Sequence, residues 1–178
     1  DESNVHEPYR PKAVGIGNSQ VLHKDYTRQS DIELVLREMA EQVAIRLRRR
    51  HKKATVVAIT VGYSNFENKK SINVQRKINP TNRTLVIQDE VISLFRSKYE
   101  GGAVRSIAVR YDGRMDEKVA VLSLFDDVEV SEKEEKLETT IDRIRDQFGF
   151  LAVQKASSLL ENSRVIARSR LVGGHSAG

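Results

Sequence analysis

The 178-residue chain has no cysteine. That absence excludes disulfide scaffolds, thiolate-bound zinc, iron–sulfur clusters and cysteine nucleophiles together, and it fits a reducing compartment. There is no run of ~18 apolar residues, so no transmembrane helix and no membrane partner is expected. No signal-peptide pattern opens the chain. Proline is scarce, and two of the three, Pro8 and Pro11, fall in the polar stretch Asp1–Pro11, which reads as an extended linker. The chain starts at Asp1 and not at Met, which predicts a segment of a longer protein.

Signatures of catalysis are missing as well. No glycine-rich loop ends in Gly-Lys-Ser/Thr, and Gly15-Ile16-Gly17 lacks the third glycine of a dinucleotide fingerprint. His6, His23, His51 and His175 are scattered and show no metal-ligand spacing. No nucleophile elbow supports a Ser/His/Asp triad. The acidic pairs Asp89-Glu90 and Asp126-Asp127 read as a helix start and a charged segment. The expectation is a piece that binds, with no catalytic residue, no metal and no cofactor of its own.

What the chain does have is enough apolar material for a core, 39% of its residues, and an uneven charge. Residues 1–125 carry 22 basic and 15 acidic side chains, a net +7, whereas 126–178 carry 8 and 10, a net −2. A basic body with a weakly acidic tail points to a polyanion partner for the body.

Periodicity gives the body an order of elements. Ala13–Leu22 reads as a strand broken by glycines. Ser30 with Glu33 has the spacing of a capping box, and Ile32, Val35, Leu36, Met39, Ala40, Val43, Ala44 and Leu47 then follow helical spacing to about His51. Ala54–Tyr63 and Ser71–Ile78 read as strands, the second ended by Pro80. Val91, Leu94, Phe95 and Tyr99 mark a shorter helix stopped at Gly101-Gly102, and Val104–Tyr111 alternates as a further strand. The fold class is therefore α+β, a split β-α-β-β-α-β arrangement: an antiparallel four-stranded sheet with two helices on one face.

If Val57, Ile59, Val61, Ile107, Val109 and Tyr111 face the helices, alternation turns Ala58, Thr60, Gly62, Ser106, Ala108 and Arg110 outward. Ala13, Gly15, Gly17, Ser71, Asn73, Gln75 and Lys77 fit the same open face. Small, neutral-polar and basic residues let backbone amides and hydroxyls approach phosphate oxygens. An ordinary solvated face is the alternative. The middle strands lack the aromatic pair of base-stacking RNA readers. Arg46, Arg48, Arg49, Arg50, His51, Lys52 and Lys53 close the first helix. Some of these cations suit a helix C-terminus, but the density predicts a phosphate-contact patch.

At Lys12–Phe66 a resemblance becomes specific. Lys12-Ala13-Val14-Gly15, Asp25-Tyr26, the arginine-rich helix end and Val61-Gly62-Tyr63-Ser64-Asn65-Phe66 resemble the little finger domain of Y-family DNA polymerases, of the bacterial ImpB/MucB/SamB-type UV-repair branch. The resemblance covers roughly Tyr9 to the C-terminus. It implies a little-finger module that grips primer–template DNA beside a separate catalytic core, in translesion synthesis and SOS damage tolerance, in a bacterial cytoplasm. The parent would be the DNA-directed DNA polymerase, with its carboxylates and magnesium upstream of this chain. The DNA-binding residues expected on these combined grounds are Lys12, Ala13, Thr60, Asn73, Gln75, Lys77, Arg110, Arg48, Arg49, Arg50 and Lys52. Ala13 stands where the family usually has Ser.

After the sheet, Leu122-Ser123-Leu124-Phe125 resembles the peptide by which bacterial proteins bind the sliding clamp, with Val121 where Gln is expected. An edge strand is the alternative. Ser131 with Glu134 has capping-box spacing again, and Leu137, Ile141, Ile144 and Phe148 form one apolar stripe ended by Gly149. The stripe packs on the body or receives an accessory protein. A short second helix is expected within Ala152–Leu160.

The expected layout is linker 1–11, little finger 12–118, clamp-binding segment 119–130, helical tail 131–162 and a disordered end 163–178. The rival readings are a non-catalytic protein–protein or regulatory domain working through the tail helix, and a stand-alone enzyme, which needs a convergent polar pocket.

Overall fold

The computed structural model describes residues 16–112, 115–116 and 128–172. The body is β1 (Ile16–Tyr26), α1 (Gln29–Arg49), β2 (Lys52–Tyr63), β3 (Ile72–Thr81), α2 (Thr84–Arg96) and β4 (Val104–Asp112). The strands pair in the order β1-β4-β2-β3, every neighbour antiparallel. Each β-α-β unit is thus split by a strand from the other unit. A two-residue β5 (Met115–Asp116) pairs with the start of β2.

One layer of helix covers one sheet face. All eight apolar residues of the α1 stripe are buried. They meet Val57, Ile59 and Val61 of β2, Ile107, Val109 and Tyr111 of β4, and Ile87, Val91, Leu94 and Phe95 of α2 in one core. The sheet side of that core is the set that alternation placed inward.

Some boundaries differ from expectation, each for a local reason. Ser30 does not cap α1. The helix begins before it, from an extended Arg28 whose carbonyl accepts from the Asp31 and Ile32 amides. Glu33 serves a different end, taking both arms of Arg96 of α2 at 2.7 and 2.8 Å. Pro80 does not end β3, which runs to Thr81. β3 is the outer strand, where proline is tolerated, and a register shift between Ala54 and Val56 absorbs the irregularity. At the far end of α1 the chain turns within Arg50 and His51, and His51 takes a left-handed φ of 50°.

The tail folds onto the helix layer. α3 (Val128–Phe148) starts before Ser131 and stops at Gly149, where φ is 97° and the amide donates to the Arg145 carbonyl. Two short 3-10 turns, Phe150–Ala152 and Ala156–Leu159, replace the expected second helix. The segment expected to be disordered contains α4 (Val165–Val172). It is tied down because Asn162, Ser163 and Arg164 bond to Asp31 and Glu38 of α1. No helix among the described residues is long and apolar enough to cross a membrane.

Candidate nucleic-acid interface

Strand register sets the open face row by row. Gly17, Arg110, Ala58 and Gln75 stand side by side across the four strands. Ser19, Ala108, Thr60 and Asn73 form the next row, and Val21, Ser106 and Gly62 the one after. These three rows hold no carboxylate. Lys77 lies beyond Gln75 on the same side of β3, and Asn73, Gln75, Lys77 and Arg110 are all exposed. The face is kept low by its small residues. A Cβ at Gly62 would overlap the Ser106 hydroxyl, and one at Gly17 would sit 3.0 Å from Arg110 Cγ. The Arg110 stem therefore packs over Gly17, and a side chain at position 17 would have to push it aside by a few tenths of an ångström.

Within the arginine-rich turn, Arg48 and Arg49 face α3 and do not join this surface. Arg48 is the clearest departure from expectation. Its side chain is 12% exposed, and its guanidinium faces α3, where it grips Asp142 through Nε at 2.7 Å and Nη2 at 3.1 Å. Its Nη1 serves Glu138 at 3.3 Å, the Thr84 hydroxyl at 2.9 Å and the Asn82 carbonyl at 3.0 Å. Arg48 is thus withdrawn from the expected phosphate patch by internal carboxylates. Arg49 pairs with Asp146 and stays half exposed. Arg50 is exposed and forms no ion pair with any described residue. Lys52 opens β2 opposite Asp116. Lys12, Ala13 and the clamp-type residues Leu122, Ser123, Leu124 and Phe125 lie outside the described residues.

The same acidic helix also serves α2. That helix has no side-chain cap and no acid in its own first turn. Glu138 accepts from the Thr84 amide at 3.0 Å, and Glu134 pairs with Arg83. An anion at a helix N-terminus is favoured by the exposed amides there. Arg145, buried against Glu41 at 3.2 Å and over the Phe150 ring at 4.3 Å, completes the seam. α3 therefore docks by its charged face. Of the apolar stripe, Ile141 and Ile144 are half-buried, while Leu137 and Phe148 remain 60% and 70% exposed.

Two arginines meet the β1 edge: Arg46, from the predicted phosphate-contact cluster, and Arg168, which the sequence did not single out. Arg46 Nη1 donates to the Gly17 carbonyl at 2.7 Å, and Arg168 Nη2 to Asn18 Oδ1 at 2.7 Å. Burial lowers the pKa of each, and neighbouring cations add to this: Arg50 and Arg49 for Arg46, Arg46 and Arg164 for Arg168. Beside them, burial and then Arg164, Lys24 and Arg105 lower the pKa of His23. Only a helical continuation past Ser163 would have revealed Arg168 as part of this edge. Among the described residues no three His, Asp or Glu side chains gather as a metal site.

The described body is a split, all-antiparallel β-α-β-β-α-β sheet with one face covered by helices and one open. Residues 14–124 match the impB/mucB/samB family C-terminal domain, and the chain belongs to that family, as a little finger of the Y-family DNA polymerases. It is 34% identical over 176 residues to UvrX of Bacillus subtilis strain 168, a protein named for UV-damage repair, and 32% identical over 176 residues to DNA polymerase IV 2 of Halalkalibacterium halodurans. Each alignment spans 98% of this chain and 42% of the relative, so the chain spans about two-fifths of the length of these proteins. Among solved structures, the little finger domain of PolIV in complex with the beta-clamp matches 62% of this chain and 99% of its own, at 14% identity and a TM-score of 0.45.

Proposed function

We propose that this chain is the duplex-gripping module of an error-prone translesion DNA polymerase, holding primer–template DNA by its phosphates. The observation that carries this is the open face: three rows of mostly small and neutral-polar residues without a carboxylate, with Arg110 in the first row and Lys77 beyond it. Four strands at ~4.8 Å spacing make that face about 14 Å wide. The major groove is about 12 Å wide and admits a helix or a two-stranded ribbon. A flat four-stranded face thus bridges the phosphate ridges without reaching base edges, which makes the grip independent of sequence. Polymerisation, magnesium and a role in SOS damage tolerance belong, on this proposal, to the parent's catalytic core.

The test is titration of primer–template duplex at several salt concentrations. Each phosphate contact contributes about 0.9 to the slope of log affinity against log salt, worth roughly fivefold in affinity at 0.15 M. Lys77→Gln with Arg110→Gln should lower the slope by about 1.8 and the affinity by about 30-fold, equally on unrelated sequences. An unchanged slope would reject the grip.

The segment Leu122–Phe125 is proposed to bind the sliding clamp, with Leu124 and Phe125 filling an apolar pocket while the peptide lies extended. Leu124→Ala with Phe125→Ala should abolish capture of the chain by an immobilised bacterial clamp. Capture at the wild-type level would rule the segment out. A protein–protein reading is favoured by one observation, the exposure of Leu137 and Phe148 beside the docked face of α3. On that reading, with Ile141 and Ile144, they receive an accessory protein, and duplex affinity would be absent.

A further inference from the structure

Three arginines from three separate elements converge on two adjacent residues of the edge strand. Arg110 of β4 lies over Gly17 from the open face. Arg46 of α1 reaches the Gly17 carbonyl oxygen. Arg168 of α4 reaches Asn18 Oδ1. No ion pair with a described carboxylate offsets any of the three. Glu38 is the acid that acts on Arg168, and its oxygens are already taken by the Ser163 hydroxyl and the Arg164 amide.

Bringing like charges together is unfavourable unless something anionic completes the group. The guanidinium fork is matched in geometry to phosphate oxygens. We propose that Arg46, Arg110 and Arg168 form a phosphate-binding corner at the β1 edge, where a DNA backbone crossing the open face turns toward the helix layer. This rests on the duplex-gripping reading above and extends it in one respect. The tail becomes part of the DNA-binding surface, because α4 supplies one of the three cations. The hydrogen bonds of Arg46 and Arg168 fix those two guanidinium groups in place, so a phosphate meets prearranged donors there and orders little on arrival. Arg164, whose Nη1 lies 3.3 Å from His23 Nδ1, extends the positive band along the same edge.

The experiment uses the full chain with primer–template duplex across a range of salt. Arg168→Gln should weaken binding about fivefold at 0.15 M and lower the salt slope by about 0.9. Arg168→Lys keeps the charge and should keep the slope. Asn18→Ala removes the hydrogen bond but not the charge, and should also keep it, which separates phosphate contact from a purely structural role. Lys77→Gln, on the opposite edge strand, serves as the reference for the open face. If Arg168→Gln leaves the slope unchanged while Lys77→Gln lowers it, the corner is refuted and the grip stands. If neither moves the slope, the grip itself fails and the corner with it.

Discussion

Replacing Arg48 with Ala should cost about 3–5 kcal/mol of the docking of the tail, the usual price of breaking a buried ion pair on one side. The side chains of Glu138 and Asp142 are only 14% and 13% exposed, and they face the same guanidinium. Without it, two carboxylates are left close together and poorly hydrated. The Thr84 hydroxyl and the Asn82 carbonyl lose their donor as well. The chain has one escape, which is to release α3 so that both acids reach water. The loss is therefore limited by the docking energy of the tail, and the damage stays local. In hydrogen exchange, amides of α3 should lose protection while those of β2 and β4 keep theirs. Replacing Arg48, Glu138 and Asp142 together by apolar residues of similar volume should restore docking. Loss of protection throughout the sheet would instead mean that α3 is integral to the core. Added salt should loosen the wild-type tail only as far as the more exposed Arg49–Asp146 and Arg83–Glu134 pairs hold it, because buried pairs such as those of Arg48 are screened much less.

Much of the body was legible because burial imposes a period. The α1 stripe repeats every three to four residues and all of it is inside. The strands alternate, so the inward and outward sets could be read before the register was known. The direction of Arg48 was not legible. A helix-end arginine looks the same in sequence whether it meets a phosphate or an acid 94 residues later. One signal did exist. Glu134, Glu138, Asp142 and Asp146 recur at every fourth position. Like charges at that spacing repel on an isolated helix, so such a stripe calls for cations opposite it. The apolar stripe of Leu137 and Phe148 lies on the neighbouring face of the same helix and is the stronger sequence pattern. The ends of α1 and α2 misled for a related reason: their charges are satisfied by other elements, Glu33 by Arg96 and the Thr84 amide by Glu138, and no local motif encodes that.

Phe95→Ala should be as costly as the loss of Arg48 but different in kind. Phe95 is fully buried in α2 and stacks on Tyr99 with ring centroids 4.7 Å apart. Removing the ring takes away its burial and leaves a cavity between α1, α2 and the sheet, worth about 3–5 kcal/mol. The stacking adds to that, since such ring pairs contribute about 0.5–1.5 kcal/mol beyond area. A domain holds only about 5–15 kcal/mol in all, so the variant should unfold at much lower denaturant and lose protection everywhere, sheet amides included. The effect should be insensitive to salt, because no charge is involved. Below its melting temperature the variant should still bind primer–template duplex with the wild-type salt slope, because Arg110 and Lys77 stand on the far face of the sheet. A slope that fell with Phe95→Ala would show that the open face depends on the packing beneath it. The predicted separation, a salt-independent core under a salt-dependent tail and a salt-dependent grip, follows from where the charges lie: on the open face, at the β1 edge and along α3, whereas the buried core cluster is apolar and the Arg76–Glu90 pair that joins β3 to α2 stays partly exposed at its margin.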